Sequence, residues 1–221
     1  MDALARIISW LFLPLFVPLY ALLLVLFVPS KPSSFLLSDS LYHYPVEIKS
    51  LYLLLFSVFI TLAPGLSLLV LKLNRSISSL EMQSRVERQK PIAIMTFYCI
   101  VLFLFLIYQK NSAMVPAILK GTALGGALAS GIAYFINRKI KISLHSIGMG
   151  SLAGFIFMYF LSMEEYELYV LAGVFILGGI VMSSRMYLKS HNLSELGLGY
   201  FLGFISQMIC IFLFTSKLIQ L

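Results

Sequence analysis

Apolar residues in this chain fall into long runs separated by short polar intervals. The runs cover residues 7–28, 51–71, 91–108, 113–137, 144–161, 168–182 and 196–214. A helix rises about 1.5 Å per residue, so some 20 residues cross the hydrocarbon core of a bilayer. The pattern predicts an all-α, polytopic membrane helical bundle. Six core transmembrane helices follow an N-terminal apolar segment, and residues 1–221 form a single integral membrane domain. Pro14 and Pro18 interrupt the first run. Each removes a backbone donor, so this segment either spans with a bend or folds back as a re-entrant hairpin. A weak basic start at Arg6 without a small-residue cleavage site reads as a retained segment.

Composition agrees with the pattern. The 221 residues are 60% hydrophobic and 11% charged, and mean hydropathy is +0.97. That excludes a soluble domain. The formal charge of +7 fits basic loops against anionic headgroups, not nucleic acid. Cys99 and Cys210 lie inside apolar runs and read as core residues. Gly121 with Gly125, Gly150 with Gly154, and Gly199 with Gly203 have the spacing that lets helices approach closely. Lys120, inside the fourth run, reads as a snorkelling side chain. His43 reads as a loop residue.

Polar intervals carry the candidate chemistry. Two runs separate the interval around 138–145 from that around 184–191, and two more separate it from 72–91, so all three intervals face one side. That side is strongly basic and holds His145 and His191, while Glu164, Glu165 and Glu167 lie opposite. The bland reading of the basic loops, above all of Lys72, Arg75, Arg138 and Lys139, is a positive-inside topology signal. His191 and Glu195 are four apart and share a face if the segment is helical. A carboxylate on one imidazole nitrogen fixes the tautomer and frees the other as base or nucleophile. Arg185 adds a planar donor fork suited to phosphate.

The stretch Ser184-Arg185, five residues, His191, three residues, Glu195 resembles the third motif of the type-2 phosphatidic acid phosphatase superfamily, where the last residue is Asp. Ser143 and His145 resemble the second motif, Pro-Ser-Gly-His, with Ile142 and Leu144 replacing Pro and Gly. Lys90-Pro91 resembles the Arg-Pro of the first motif, whose leading Lys is Gln83 here; Arg85 and Arg88 stand nearby. The likeness covers roughly residues 85–203.

The resemblance implies a metal-independent lipid phosphatase with no cofactor. Its substrate would be a phosphorylated membrane lipid, cleaved as a phosphate monoester or pyrophosphate through a phosphohistidine. His191 would be the nucleophile, Glu195 its orienting carboxylate, and His145 the proton donor. Arg185, Lys90, Arg88, Arg85 and Ser143 would bind phosphate, all converging at one end of the bundle. The competing reading is a non-catalytic membrane protein of the same fold that binds or transports an anionic lipid. The expected location is a bacterial inner membrane. Charge counting puts the site face in the cytoplasm, whereas the resemblance puts it outside. A re-entrant first segment reconciles an outside site with a cytoplasmic N-terminus, and the extracytoplasmic site is the reading preferred.

Overall fold

The computed structural model describes residues 2–33, 40–79, 84–109 and 114–216. It is an all-α bundle in which, among the described residues, six helical stretches are long and apolar enough to cross a membrane. The first stretch, residues 46–73, combines α3 (Val46–Phe56), a π-helical turn (Ser57–Leu62) and α4 (Ala63–Leu73). The others are α5 (Gln89–Tyr108), α6 (Ala117–Ile136), α7 (Leu144–Leu161), α8 (Leu168–Tyr187) and α9 (Leu193–Thr215). Helices α5 and α7 start or end within two residues of the apolar runs. Helix α8 continues past its run, which places Arg185 in the last helical turn.

The N-terminal segment breaks where the prolines suggested. Helix α1 (Asp2–Leu11) is followed by a turn around Pro14, then by α2 (Val17–Phe27), which Pro18 opens from the first-turn position where a missing N–H costs nothing. This segment does not fold back. Ser9 contacts His145 at the start of α7. Ser30, at the other end, hydrogen-bonds Tyr159 near the end of α7 at 2.9 Å. Residues 9–30 therefore run alongside α7 from the site end of the bundle to the opposite end. The re-entrant hairpin is corrected to a broken crossing.

Two features were not foreseen. Strand β1 (Ser30–Pro32) pairs antiparallel with β2 (Met163–Tyr166), and Lys31 bridges Glu165 across the ladder at 3.0 Å. The acidic interval is thus tied to the end of the first segment. The π-helical turn precedes Pro64. Proline lacks an N–H and crowds the carbonyl four residues back, here Ile60. A wider turn relieves that crowding. The predicted turn at 109–112 falls mostly at residues 110–112, outside the described residues.

Helix α7 is the most enclosed element, with α9 packed along it. The glycine pairs explain the closeness. Gly121 and Gly125 face Ile211 and Gln207 of α9, and Gly150 and Gly154 face Tyr200 and Phe204 of α9. Gly199 and Gly203 face Ser143 and Ile147 of α7. All three pairs therefore meet on α9. A methyl group at Gly203 would run into the carbonyl of Ile147, which is helix backbone and cannot swing aside. Gly203→Ala is expected to destabilise the bundle by roughly 1–3 kcal/mol through overpacking. Thermal unfolding in detergent should show a clear drop in Tm, whereas Gly197→Ala, facing open space, should show none. Cys99 and Cys210 are buried free thiols. Lys120 does not snorkel outward. It is buried in the first turn of α6, at the end away from the site. The outward faces stay apolar, with Phe97, Ile176 and Phe201 exposed as a lipid-facing surface requires.

Candidate functional site

Backbone contacts bring the three basic intervals together. Asn137 donates its side-chain amide to the Arg85 carbonyl at 2.8 Å, and Arg85 donates to the Lys139 carbonyl at 2.6 Å. Arg88 reaches the Ile142 carbonyl at 2.9 Å. Lys141 donates to the Ser190 carbonyl at 3.1 Å. The same-side argument from span counting therefore holds.

The turn from α8 to α9 sets the spacing between Arg185 and His191. Ser190 N–H bonds the Arg185 carbonyl at 3.1 Å and Lys189 N–H bonds Met186 at 2.9 Å. Lys189 has a φ of 53°, the left-handed residue that ends a helix in this manner. The chain reverses and delivers His191 to the bundle interior. Helix α9 then begins with a capping box. Asn192 accepts from Glu195 N–H at 2.9 Å, and Asn192 N–H donates to Glu195 Oε2 at 3.4 Å. The Asn-x-x-Glu signal for this box is present in the sequence.

The same Glu195 Oε2 accepts a hydrogen bond from His191 Nδ1 at 2.7 Å. On the other side of the ring, Arg88 Nη1 lies 3.0 Å from His191 Nε2. A guanidinium only donates, so Nε2 holds the lone pair and Nδ1 the proton. The extra methylene of Glu over Asp allows one carboxylate to serve both the helix start and the imidazole. Arg88 (4% exposed), His191 (7%) and Arg185 (8%) all lie inside the protein. Burial pushes the His191 pKa down to about 3, and the positive charges of Arg88, Lys141 and Arg185 push the same way. With a guanidinium donating to Nε2, the ring carries its one proton on Nδ1, so the contact with Glu195 is a hydrogen bond from a neutral imidazole. Burial, with Arg185 nearby, also lowers Arg88 to about 10, which leaves it charged. Burial and the neighbouring Arg88 lower Lys141.

These groups head a cavity of about 390 Å³. Arg88, Arg185, His145 and His191 line it together with Arg6 and Ser9. Below them the walls are apolar: Pro14 and Val17, Ile60 of the π turn, Leu68 of α4, Met95 of α5, Ala123 of α6 and Phe155 of α7. Gln207, also on the wall, lies roughly 21 Å along α9 from Leu193 at about 1.5 Å per residue. The cavity is thus polar at one end and runs deep between the spans.

No family model, curated protein or solved structure matches the chain. The resemblance stands on its motif residues, and the structure sorts them. His191, Glu195, Arg88, Arg185 and His145 come together. Three expected phosphate ligands do not join them. Ser143 is the N-cap of α7, and its hydroxyl accepts from Ser146 N–H at 3.3 Å. Arg85 is exposed and committed to the Lys139 carbonyl. Lys90 is exposed at the start of α5 and does not line the cavity. Gln83, at the position of the leading Lys, lies outside the described residues. His145 lines the cavity and donates Nε2–H to the Ser9 carbonyl at 3.0 Å. Reasoning from the sequence passed over Arg6 and Ser9. Their one signal is a lone basic residue three positions before a serine at the edge of an apolar run.

Proposed function

We propose that the protein is a lipid phosphatase. It hydrolyses a phosphate monoester or pyrophosphate of a membrane lipid through a phosphohistidine. One observation carries the reading: the Arg88–His191–Glu195 chain heads an apolar cavity between membrane-spanning helices. Its imidazole is neutral, with a lone pair on the cavity-side nitrogen.

In the reaction, a phosphate oxygen takes over the Arg88 donor and so uncovers Nε2 of His191. Nε2 attacks phosphorus while the bond to the lipid oxygen breaks. His145, which takes up a second proton as the phosphate anion binds, gives the Nε2 proton of its imidazolium to that oxygen as its contact with Ser9 is released. Glu195 stabilises the imidazolium that has formed. Water then attacks phosphorus as the phosphorus–nitrogen bond breaks, its proton passes to His145, and phosphate leaves with His191 restored. Arg88 and Arg185 hold the non-bridging oxygens as charge builds on them. The lipid tail occupies the apolar part of the cavity.

The second reading, a binder or transporter of anionic lipid, is favoured by one detail. In the resting state Arg88 covers the nucleophilic lone pair and Ser9 holds the proton of His145. Purified protein with EDTA present should release inorganic phosphate from phosphatidic acid, phosphatidylglycerophosphate or polyprenyl phosphates. No release over that panel would favour the binder. The sidedness follows a simple rule: Asp2 and the site lie at the same end of the bundle. An extracytoplasmic site, which the resemblance implies, requires an extracytoplasmic Asp2, since the hairpin that would have separated them is absent.

A further inference from the structure

Arg6 and Ser9 stand three residues apart on α1 and both line the cavity beside Arg88, His145, Arg185 and His191. Three residues is about one helical turn, so they share a face. The opposite face of α1 is apolar and open, with Leu4, Ile7 and Leu11 exposed. That is the pattern of a helix lying in the membrane interface. Asp2 hydrogen-bonds Tyr187 and so anchors the start of α1 on the end of α8.

Ser9 supplies the second observation. It is 5% exposed, and its hydroxyl has no hydrogen-bond partner among the described residues. Elsewhere in the helices, Ser67, Thr96, Thr122, Ser130 and Ser184 each bond a carbonyl of their own helix four residues back; Ser146 of α7 is also buried without a partner among the described residues, but it does not line the cavity. The Ser9 hydroxyl forgoes that bond on a wall where cationic groups converge. A buried hydroxyl without a partner is costly and implies a ligand. Arg6 is exposed while still lining the cavity, which puts it at the mouth.

We propose that α1 is part of the phosphate site, with the Arg6 guanidinium and the Ser9 hydroxyl donating to non-bridging oxygens of the bound phosphate. This rests on the reading of the ligand as a phosphate group. The anion is held from two sides, by Arg88 and Arg185 from the bundle and by Arg6 and Ser9 from the interfacial helix. The Ser9 carbonyl that holds His145 places the proton donor next to the same phosphate. Helix α1 therefore closes the head of the cavity and contributes to recognition there.

Equilibrium binding to the full chain in detergent tests this with two probes, inorganic phosphate and dodecylphosphonate, whose carbon–phosphorus bond resists hydrolysis. Arg6→Gln should raise Kd about tenfold and Ser9→Ala about threefold, with Arg6→Lys in between. Arg138→Gln, which removes a charge stacked on Tyr134 and Phe135 of the same basic face, should change neither. Weakening with both probes assigns the contacts to phosphate itself. Weakening with dodecylphosphonate alone assigns them to a lipid headgroup, and either result supports the inference. Kd values within twofold of wild type for both Arg6→Gln and Ser9→Ala would overturn it, as would failure of the wild type to bind either probe. Weakened binding in a protein that turns over no phosphate lipid would keep this inference and reject the phosphatase. Turnover and binding untouched by the two substitutions would do the reverse.

Discussion

On the proposed mechanism, His191→Ala should abolish turnover, with a loss on the order of 10⁴-fold or more, as expected when a covalent nucleophile is removed. Wild-type protein quenched during turnover of a radiolabelled lipid phosphate should carry acid-labile label, and the variant should carry none. The fold should survive the change. Glu195 keeps its capping contacts with Asn192, and the substitution removes a neutral ring. Far-ultraviolet circular dichroism and the elution volume in detergent should therefore match wild type. Wild-type rates in His191→Ala would reject the assignment of the nucleophile.

Arg88→Gln has the second-largest effect. Arg88 contacts His191 and, on the proposed mechanism, presents charge to the phosphate; loss of one such donor costs about 10²–10³-fold in rate. It also has a pH signature. A cation beside an imidazole disfavours the protonated ring and lowers its pKa. Burial and Arg88 together hold His191 near 3, so its protonation should not limit wild-type kcat/KM between pH 5 and 8. Removing Arg88 raises the pKa of His191 toward its ordinary value. The acid limb of the variant profile then moves up in pH relative to wild type on the same substrate. The ratio of the two profiles cancels any titration of the substrate itself. A variant with reduced rate and an unmoved acid limb would mean that Arg88 acts on the phosphate alone.

The spans were legible because bilayer thickness demands long apolar runs, and few other structures need them. His191 and Glu195 were legible by their spacing, although the shared helical face did not form: His191 precedes the N-cap Asn192, and the turn brings it to Glu195. Arg88, His145 and Arg185 followed from counting crossings, which needs only that helices alternate in direction. Ser143, Arg85 and Lys90 have the right chemistry at the right end of the bundle. Nearby backbone groups engage two of them, an orphan helix N–H for Ser143 and a loop carbonyl for Arg85, while Lys90 stays exposed outside the cavity. Sequence pattern cannot rank such local partners against a ligand. Arg6 and Ser9 failed for the opposite reason, since their neighbours lie far along the chain and share no motif with them. The π turn and the β1–β2 ladder were hidden likewise. Pro64 sits inside the second apolar run and was not read as a disturbance, and the ladder joins segments more than a hundred residues apart.

One oxygen atom of Glu195 ties the start of α9 to the tautomer of His191. Substitutions at this position are therefore constrained twice over. Aspartate can answer the imidazole but reaches the Asn192 N–H less well. Glutamine can close the helix start but brings no charge to steady an imidazolium. Alanine meets neither demand. A lineage that abandoned the chemistry would still be held to glutamate or glutamine by the helix alone. Finding glutamate at this position is thus weak testimony to activity, and the histidine four residues before it is the better witness.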